Sequence, residues 1–229
     1  LLTNLLFFLS AAVSSGGDST RSDTLTAERW ADSARVAIEA AFVRGRPDEV
    51  VEARRLAERG LEHFPKDALL RHYQGYGFFR EALLREGDAA LPVFERARES
   101  LEQSLVLREI AESRAVLAAV YGNMIGSSVF RAVRFGRAST GEMDRAVSAA
   151  PTNPRVWMLK GAGALYQPGF FGGGADKAET ALRKALTLFT ADKPTGASPA
   201  WGLAEAHGWL ALALAKQGKS AEARTELVA

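Results

Sequence analysis

Apolar residues recur three and four positions apart from Ala27 to the end of the chain, and the breaks between these stretches are glycine and proline clusters. No stretch alternates apolar and polar residues in the way a half-buried strand does. The pattern predicts paired helices over about 27–44 with 47–63, 67–86 with 90–108, 111–130 with 138–150, 154–166 with 175–190, and 201–217 with 220–229. Local chemistry supports the divisions. Asn153 before Pro154 is an N-cap followed by a proline at the first helical position, where its missing N–H costs nothing. Gly45 to Pro47 and the group Gly87, Asp88, Pro92 end one helix and start the next. Residues 18–26, DSTRSDTLT, read as a polar lead-in without a cap.

Self-similarity decides how such helices assemble. Four helices carry an apolar or small triplet at spacings of four and three: Ala53, Ala57, Gly60; Ala97, Leu101, Ser104; Ser139, Met143, Ala146; and Ala178, Leu182, Ala185. Small side chains in these triplets allow a second helix to approach closely. Upstream of the last three lies a helix with a central glycine, at Gly75, Gly122 and Gly161. The final unit offers Leu210, Ala211 and Leu214, a turn at Gly218, then Ala223 and Leu227.

On these residues the chain resembles the tetratricopeptide repeat (TPR) family from about Ala27 to Ala229, most closely in the last two units. Successive small positions, Gly60, Ser104, Ala146 and Ala185, lie 44, 42 and 39 residues apart, against about 34 in the regular repeat. The long, irregular repeats and the sequence YQPGFFGGG are closer to exported bacterial TPR proteins than to regular co-chaperone arrays. The basic clamp that those arrays use for acidic C-terminal peptides is missing. The resemblance implies an all-α fold, an α-α superhelix of about five hairpins whose inner wall binds a partner.

Composition narrows the function. The absence of cysteine excludes disulfides, thiolate zinc sites, thiol nucleophiles and a lipid-bearing cysteine in this chain. Lys and Arg number 29 against 27 Asp and Glu, interspersed and without a basic block, which argues against nucleic acid as a partner. Residues 1–14 read as a signal-peptide-like segment: the uncharged run LLTNLLFFLSAAV leads to small residues, with Ala12 and Ser14 at the spacing a signal peptidase accepts. The run is too short for a permanent membrane span. The expectation is a flexible lead-in over 15–26, a repeat domain over 27–229, and an exported protein, periplasmic or extracellular.

Catalytic and metal chemistry find little support. His63, His72 and His207 stand apart, without HExxH spacing. Gly172, Gly173 and Gly174 precede a helix, but no strand leads in, no Lys-Ser/Thr follows, and Asp176 occupies the anion's place. A loop built on those glycines is the plainer reading, with Phe170 and Phe171 as a candidate lid over a pocket. The carboxylate pairs Glu28 and Asp32, or Glu49 and Glu52, sit among arginines as a charged face. The chain is therefore read as a non-enzyme without cofactor or metal.

Two functions fit a superhelix. One is an envelope scaffold that holds a protein or peptide in its concave groove, and the other is a periplasmic transport component that encloses an apolar small ligand. Carrying the family's inner stripe onto this sequence names Leu69, His72, Tyr76, Phe79 and Arg80, then Val116, Ala119 and Asn123, then Arg155, Met158, Ala162, Leu165 and Tyr166. Aromatic residues and arginine in such a wall suit recognition. The same residues equally suit a core that only holds the superhelix together.

Overall fold

The computed structural model describes residues 25–125, 129–169 and 172–228. The signal-like segment, almost all of the lead-in, Phe170 and Phe171 lie outside these residues. Among the described residues ten α-helices follow one another: α1 (Ala27–Val43), α2 (Pro47–His63), α3 (Ala68–Leu83), α4 (Leu91–Leu107), α5 (Ala111–Asn123), α6 (Val129–Ala149), α7 (Pro154–Ala164), α8 (Ala175–Phe189), α9 (Leu203–Lys216) and α10 (Ser220–Glu226). A 3-10 turn at Gly87–Ala89 leads into α4, and no strand occurs among the described residues. Consecutive helices pair as five hairpins. The second helix of each hairpin packs on the first helix of the next, and α1, α3, α5, α7 and α9 also touch in sequence. The result is an α-α superhelix with the odd-numbered helices along its inner wall.

Caps fix where the helices start. Asp67 accepts from the Leu69 and Leu70 amides at 2.9 and 2.8 Å, and Asn153 accepts from Arg155 at 3.0 Å. Thr26 caps α1 through its hydroxyl, so the lead-in ends in a cap that its sequence did not advertise.

The small triplets do the stacking. Ala57, Ala97, Leu101, Ser104, Ala146, Ala178, Leu182 and Ala185 have no exposed surface. A Cβ built on Gly75 would stand 2.7 Å from Leu101 Cγ, and one on Gly161 would stand 2.5 Å from Leu182 Cγ and 3.2 Å from the Ala178 carbonyl oxygen. Each glycine of α3 and α7 is thus the socket for the middle residue of the triplet on its partner helix. Gly161→Ala is expected to destabilise by about 1–3 kcal/mol, because Leu182 must leave its place in a packed crossing. A denaturant midpoint equal to that of the parent chain would refute this socket.

The third hairpin departs from the sequence reading, which places a break between 130 and 138. α5 stops at Asn123, and α6 runs unbroken through Gly136 and Gly141. A Cβ at either glycine would meet nothing within 4 Å, so these glycines are merely tolerated in a helix fastened elsewhere. That fastening is the buried Ala146 and the Ser139 hydroxyl, which donates to the Ala118 carbonyl at 2.8 Å. The fifth hairpin also starts late, at Leu203 and not 201, because Trp201 and Gly202 serve another purpose.

Candidate functional site

Between α8 and α9 the chain does not take a short turn. Residues 190–202, TADKPTGASPAWG, leave the end of α8 and cross the inner wall. Gly196 (φ 55°) and Gly202 (φ 105°) bracket the crossing with left-handed backbone that other residues resist. Between them Ala197, Pro199 and Trp201 are buried, while Ser198 and Ala200 are exposed. Ala197 sits in a tight turn closed by the Ser198 N–H donating to the Thr195 carbonyl at 3.1 Å, and from that turn to Trp201 every second residue is buried against the wall.

The seat is one stripe of α3. The Tyr73 hydroxyl donates to the Ala197 carbonyl, the Tyr76 ring stacks on Trp201 with centroids 5.0 Å apart and planes at 16°, and Arg80 clasps Glu205 at the start of α9. Positions 73, 76 and 80 share a helix face at spacings of three and four. Three successive points of the crossing chain, 197, 201 and 205, therefore meet three successive turns of α3. At its other end the segment is tied to α7, where the Arg155 guanidinium donates to both Asp192 carboxylate oxygens at 3.2 and 2.6 Å. Met158 of α7 lies under Gly202.

Arg80 is the electrostatic centre. Its side chain is 2% exposed, yet its guanidinium donates to the Tyr76 hydroxyl at 2.7 Å and to Glu205 at 2.8 Å, and stands 3.4 Å from Glu39 of α1. It also lies over the rings of Phe42, Tyr76 and Trp201 at 4.1, 4.9 and 5.6 Å. Burial pulls the Arg80 pKa down, but Tyr76, Glu205 and Glu39 outweigh it and the guanidinium is held charged. Burial holds the Glu39 carboxyl above its ordinary value, against the pull of Arg80 and Tyr76. Desolvation also pushes the Tyr76 hydroxyl far up, so it stays protonated as it donates to Glu39. Behind Tyr76, His72 stacks at 5.9 Å and 11°. Burial, then Arg108, press its pKa down to about 3. A neutral His72 shares a 2.9 Å hydrogen bond with Ser113.

Most of the expected inner wall is consequently core. His72, Tyr76, Phe79, Arg80, Arg155, Met158 and Leu165 are all buried, so they do not line an open groove. Phe79 turns away to Phe94 of α4, and His72 is engaged by Ser113 of α5. Tyr76, Arg80, Arg155 and Met158 do face the inner wall, but the crossing segment and α9 cover them. Leu69 is half-buried, and Asn123 and Tyr166 are exposed. Tyr166 stands edge-on to Trp209 at 6.2 Å. Together with the half-buried Ala119 and Ala162, these two mark the part of the wall that remains open.

Sequence reasoning missed Tyr73, Glu39, Asp192, Trp201 and Glu205. Only Trp201 carried a signal, as a tryptophan within a proline- and glycine-rich connection.

The proposed lid at Phe170 and Phe171 lies outside the described residues. Its glycine neighbours are structural. Gly174 donates its N–H to the Ala164 carbonyl at 2.8 Å, and a side chain at Gly173 would collide with the Gln167 backbone. The loop is thereby folded back on the end of α7. Elsewhere, a shallow depression of about 380 Å³ lies between Pro65 and the α4 residues Glu99, Glu102, Gln103, Val106 and Leu107. No group of three or more His, Asp or Glu able to hold a metal is found among the described residues. No described helix is long and apolar enough to cross a membrane.

No family model matches the chain, and no protein of curated function matches its sequence. Its structure is similar to that of HusA haemophore from Porphyromonas gingivalis, with 25% identity, a TM-score of 0.65, and coverage of 82% of this chain and 94% of that one. It is also similar to a thermophilic TPR protein of Thermus thermophilus, with 20% identity, a TM-score of 0.60, and coverage of 86% of this chain and 87% of that one. The fold is a TPR-like α-α superhelix.

Proposed function

We propose that this superhelix is a non-catalytic scaffold of the bacterial cell envelope, exported to the periplasm or beyond, that holds an extended segment of a protein partner on its inner wall. One observation carries the reading: the wall already holds a stretch of the chain's own polypeptide outside any helix, with alternate residues from 197 to 201 buried and the Ala197 carbonyl hydrogen-bonded to Tyr73. Main-chain contacts combined with pockets for alternate side chains are how grooves recognise extended peptides. The uncovered end of the wall, around Asn123 and Tyr166, is the part through which a partner enters.

The test places a photo-crosslinking residue at 123 or 166 and, as a comparison, at the exposed Arg55 of α2. Adducts with one polypeptide from the native envelope are expected from the two inner positions and not from 55. Equal labelling from all three would overturn the reading.

A flat apolar ligand is the second reading, favoured by the likeness to a haemophore and by the stacked His72, Tyr76 and Trp201 rings. Titration with haem decides it. A saturable absorbance band at one equivalent, lost in Trp201→Ala, would support ligand capture over peptide capture.

A further inference from the structure

The segment that covers the groove is itself a description of what the groove prefers. Ala197, Pro199 and Trp201 face the wall at alternate positions, and Glu205 follows the tryptophan by four residues so that Arg80 meets both. We infer that residues 191–205 are an internal stand-in for the partner, a polypeptide that presents a small residue, a proline and a tryptophan at alternate positions and, one helical turn further on, a carboxylate, and which binds by displacing them. The inference rests on the scaffold reading and specifies the partner of the same wall.

Three features separate such a stand-in from ordinary core. First, its seat is imperfect: Trp201 Nε1 is buried with no hydrogen-bond partner among the described residues. Lifting the segment returns this donor to water, and a competitor whose own indole N–H finds an acceptor gains over the resident segment. Second, residues 191–196, 198 and 200 are exposed or half-exposed, so few side chains resist lifting. Third, the ends are held by charge, Asp192 on Arg155 and Glu205 on Arg80, with left-handed glycines 196 and 202 between them.

The tether sets how hard displacement is. A segment joined to its groove by a short linker competes at an effective concentration on the order of millimolar. A free peptide of the same sequence therefore binds the wild-type chain weakly, since its apparent affinity is reduced by the fraction of open groove. Loosening the resident segment should raise that affinity without adding a contact.

The probe is a fluorescein-labelled synthetic peptide of residues 190–206, followed by anisotropy with the full chain. Asp192→Asn with Glu205→Gln, which releases both charge clamps, and separately Trp201→Ala, should each bind it at least tenfold more tightly than wild type. A peptide whose tryptophan is replaced by alanine should bind at least tenfold more weakly to every chain. Variants as helical as wild type that bind no better would overturn the inference.

Should the variants lose helicity, the wild-type chain still answers. Saturation with unlabelled peptide should accelerate amide exchange at its own residues 197–202, and unchanged exchange at saturation would overturn the proposal. Failure here combined with persistent crosslinks from 123 and 166 removes the stand-in and leaves the scaffold. Loss of those crosslinks removes both.

Discussion

Replacing Tyr76 by alanine is expected to cost about 3–5 kcal/mol, the range for deleting a large buried aromatic ring. For a chain of this size that lowers the melting temperature by about 10 °C. Tyr76 has no exposed surface, and its ring is the middle of a stack between His72 and Trp201. Its hydroxyl links Glu39 and Arg80. Removing the side chain therefore opens a void at the seam between the second hairpin and the crossing segment, and strands two charged groups. Tyr76→Phe separates these contributions: it keeps the stack and should cost less, about 1.5–3 kcal/mol, the loss of hydrogen bonding to charged groups. Calorimetry on both variants checks the order. An alanine variant that melts like wild type would mean that Tyr76 is an accessible wall residue, in conflict with its burial.

The helices were legible because each level of the sequence agrees with the next. Ala97, Leu101 and Ser104 share one face of α4, and Gly75 on α3 is the gap that receives Leu101. A triplet and the glycine on the helix before it thus write one helix crossing twice. Ala178, Leu182 and Gly161 repeat the statement in the fourth hairpin. Where that redundancy weakens, the reading slipped. The socket of the third hairpin is loose, with a Cβ on Gly122 coming no nearer than 3.7 Å to Ser139 Oγ, and the break expected between 130 and 138 falls on residues that α6 runs through.

The site was legible only in part, for a topological reason. The helical period puts Tyr76, Arg80, Arg155 and Met158 on one side of the odd-numbered helices, and in the structure all four are buried. What covers them comes from a connection far along the chain, as the pairs Tyr73 with Ala197 and Arg80 with Glu205 show. A loop such as DKPTGASPAWG has no period to reveal a buried face. Its alternation of buried residues exists only once α3 supplies the stripe, and nothing within the loop fixes that register. Tyr73 was overlooked for a related reason: the stripe was carried over from the family's spacing through 72 and 76, whereas the crossing chain selects 73, 76 and 80.

Arg80→Met should be comparably damaging at neutral pH and much less so in acid. Removing one partner from a buried ion pair typically costs about 3–5 kcal/mol, because the remaining charge is left without compensation. Here two carboxylates are left, Glu205 of α9 and Glu39 of α1, beside a methionine that preserves much of the packing against Phe42 and Trp201. Burial already holds the Glu39 carboxyl above 4.5, and Arg80 opposes that rise. Without the guanidinium the folded-state value must climb further. A carboxyl whose pKa is raised by folding favours the folded chain below its unfolded value and loses that contribution as pH rises through the folded value. The window of loss consequently starts near 4.5 in both chains, but it extends higher, and the loss grows larger, in the variant. Urea unfolding at about pH 4, below the start of that window, and at about pH 7 should show the gap between wild type and Arg80→Met narrowing at the lower pH. A gap equal at both would assign the role of Arg80 to stacking on the aromatic rings rather than to charge. The distinction bears on the groove, since a clamp made of charge can be exchanged for a partner's carboxylate, whereas a clamp made of packing would have to be rebuilt.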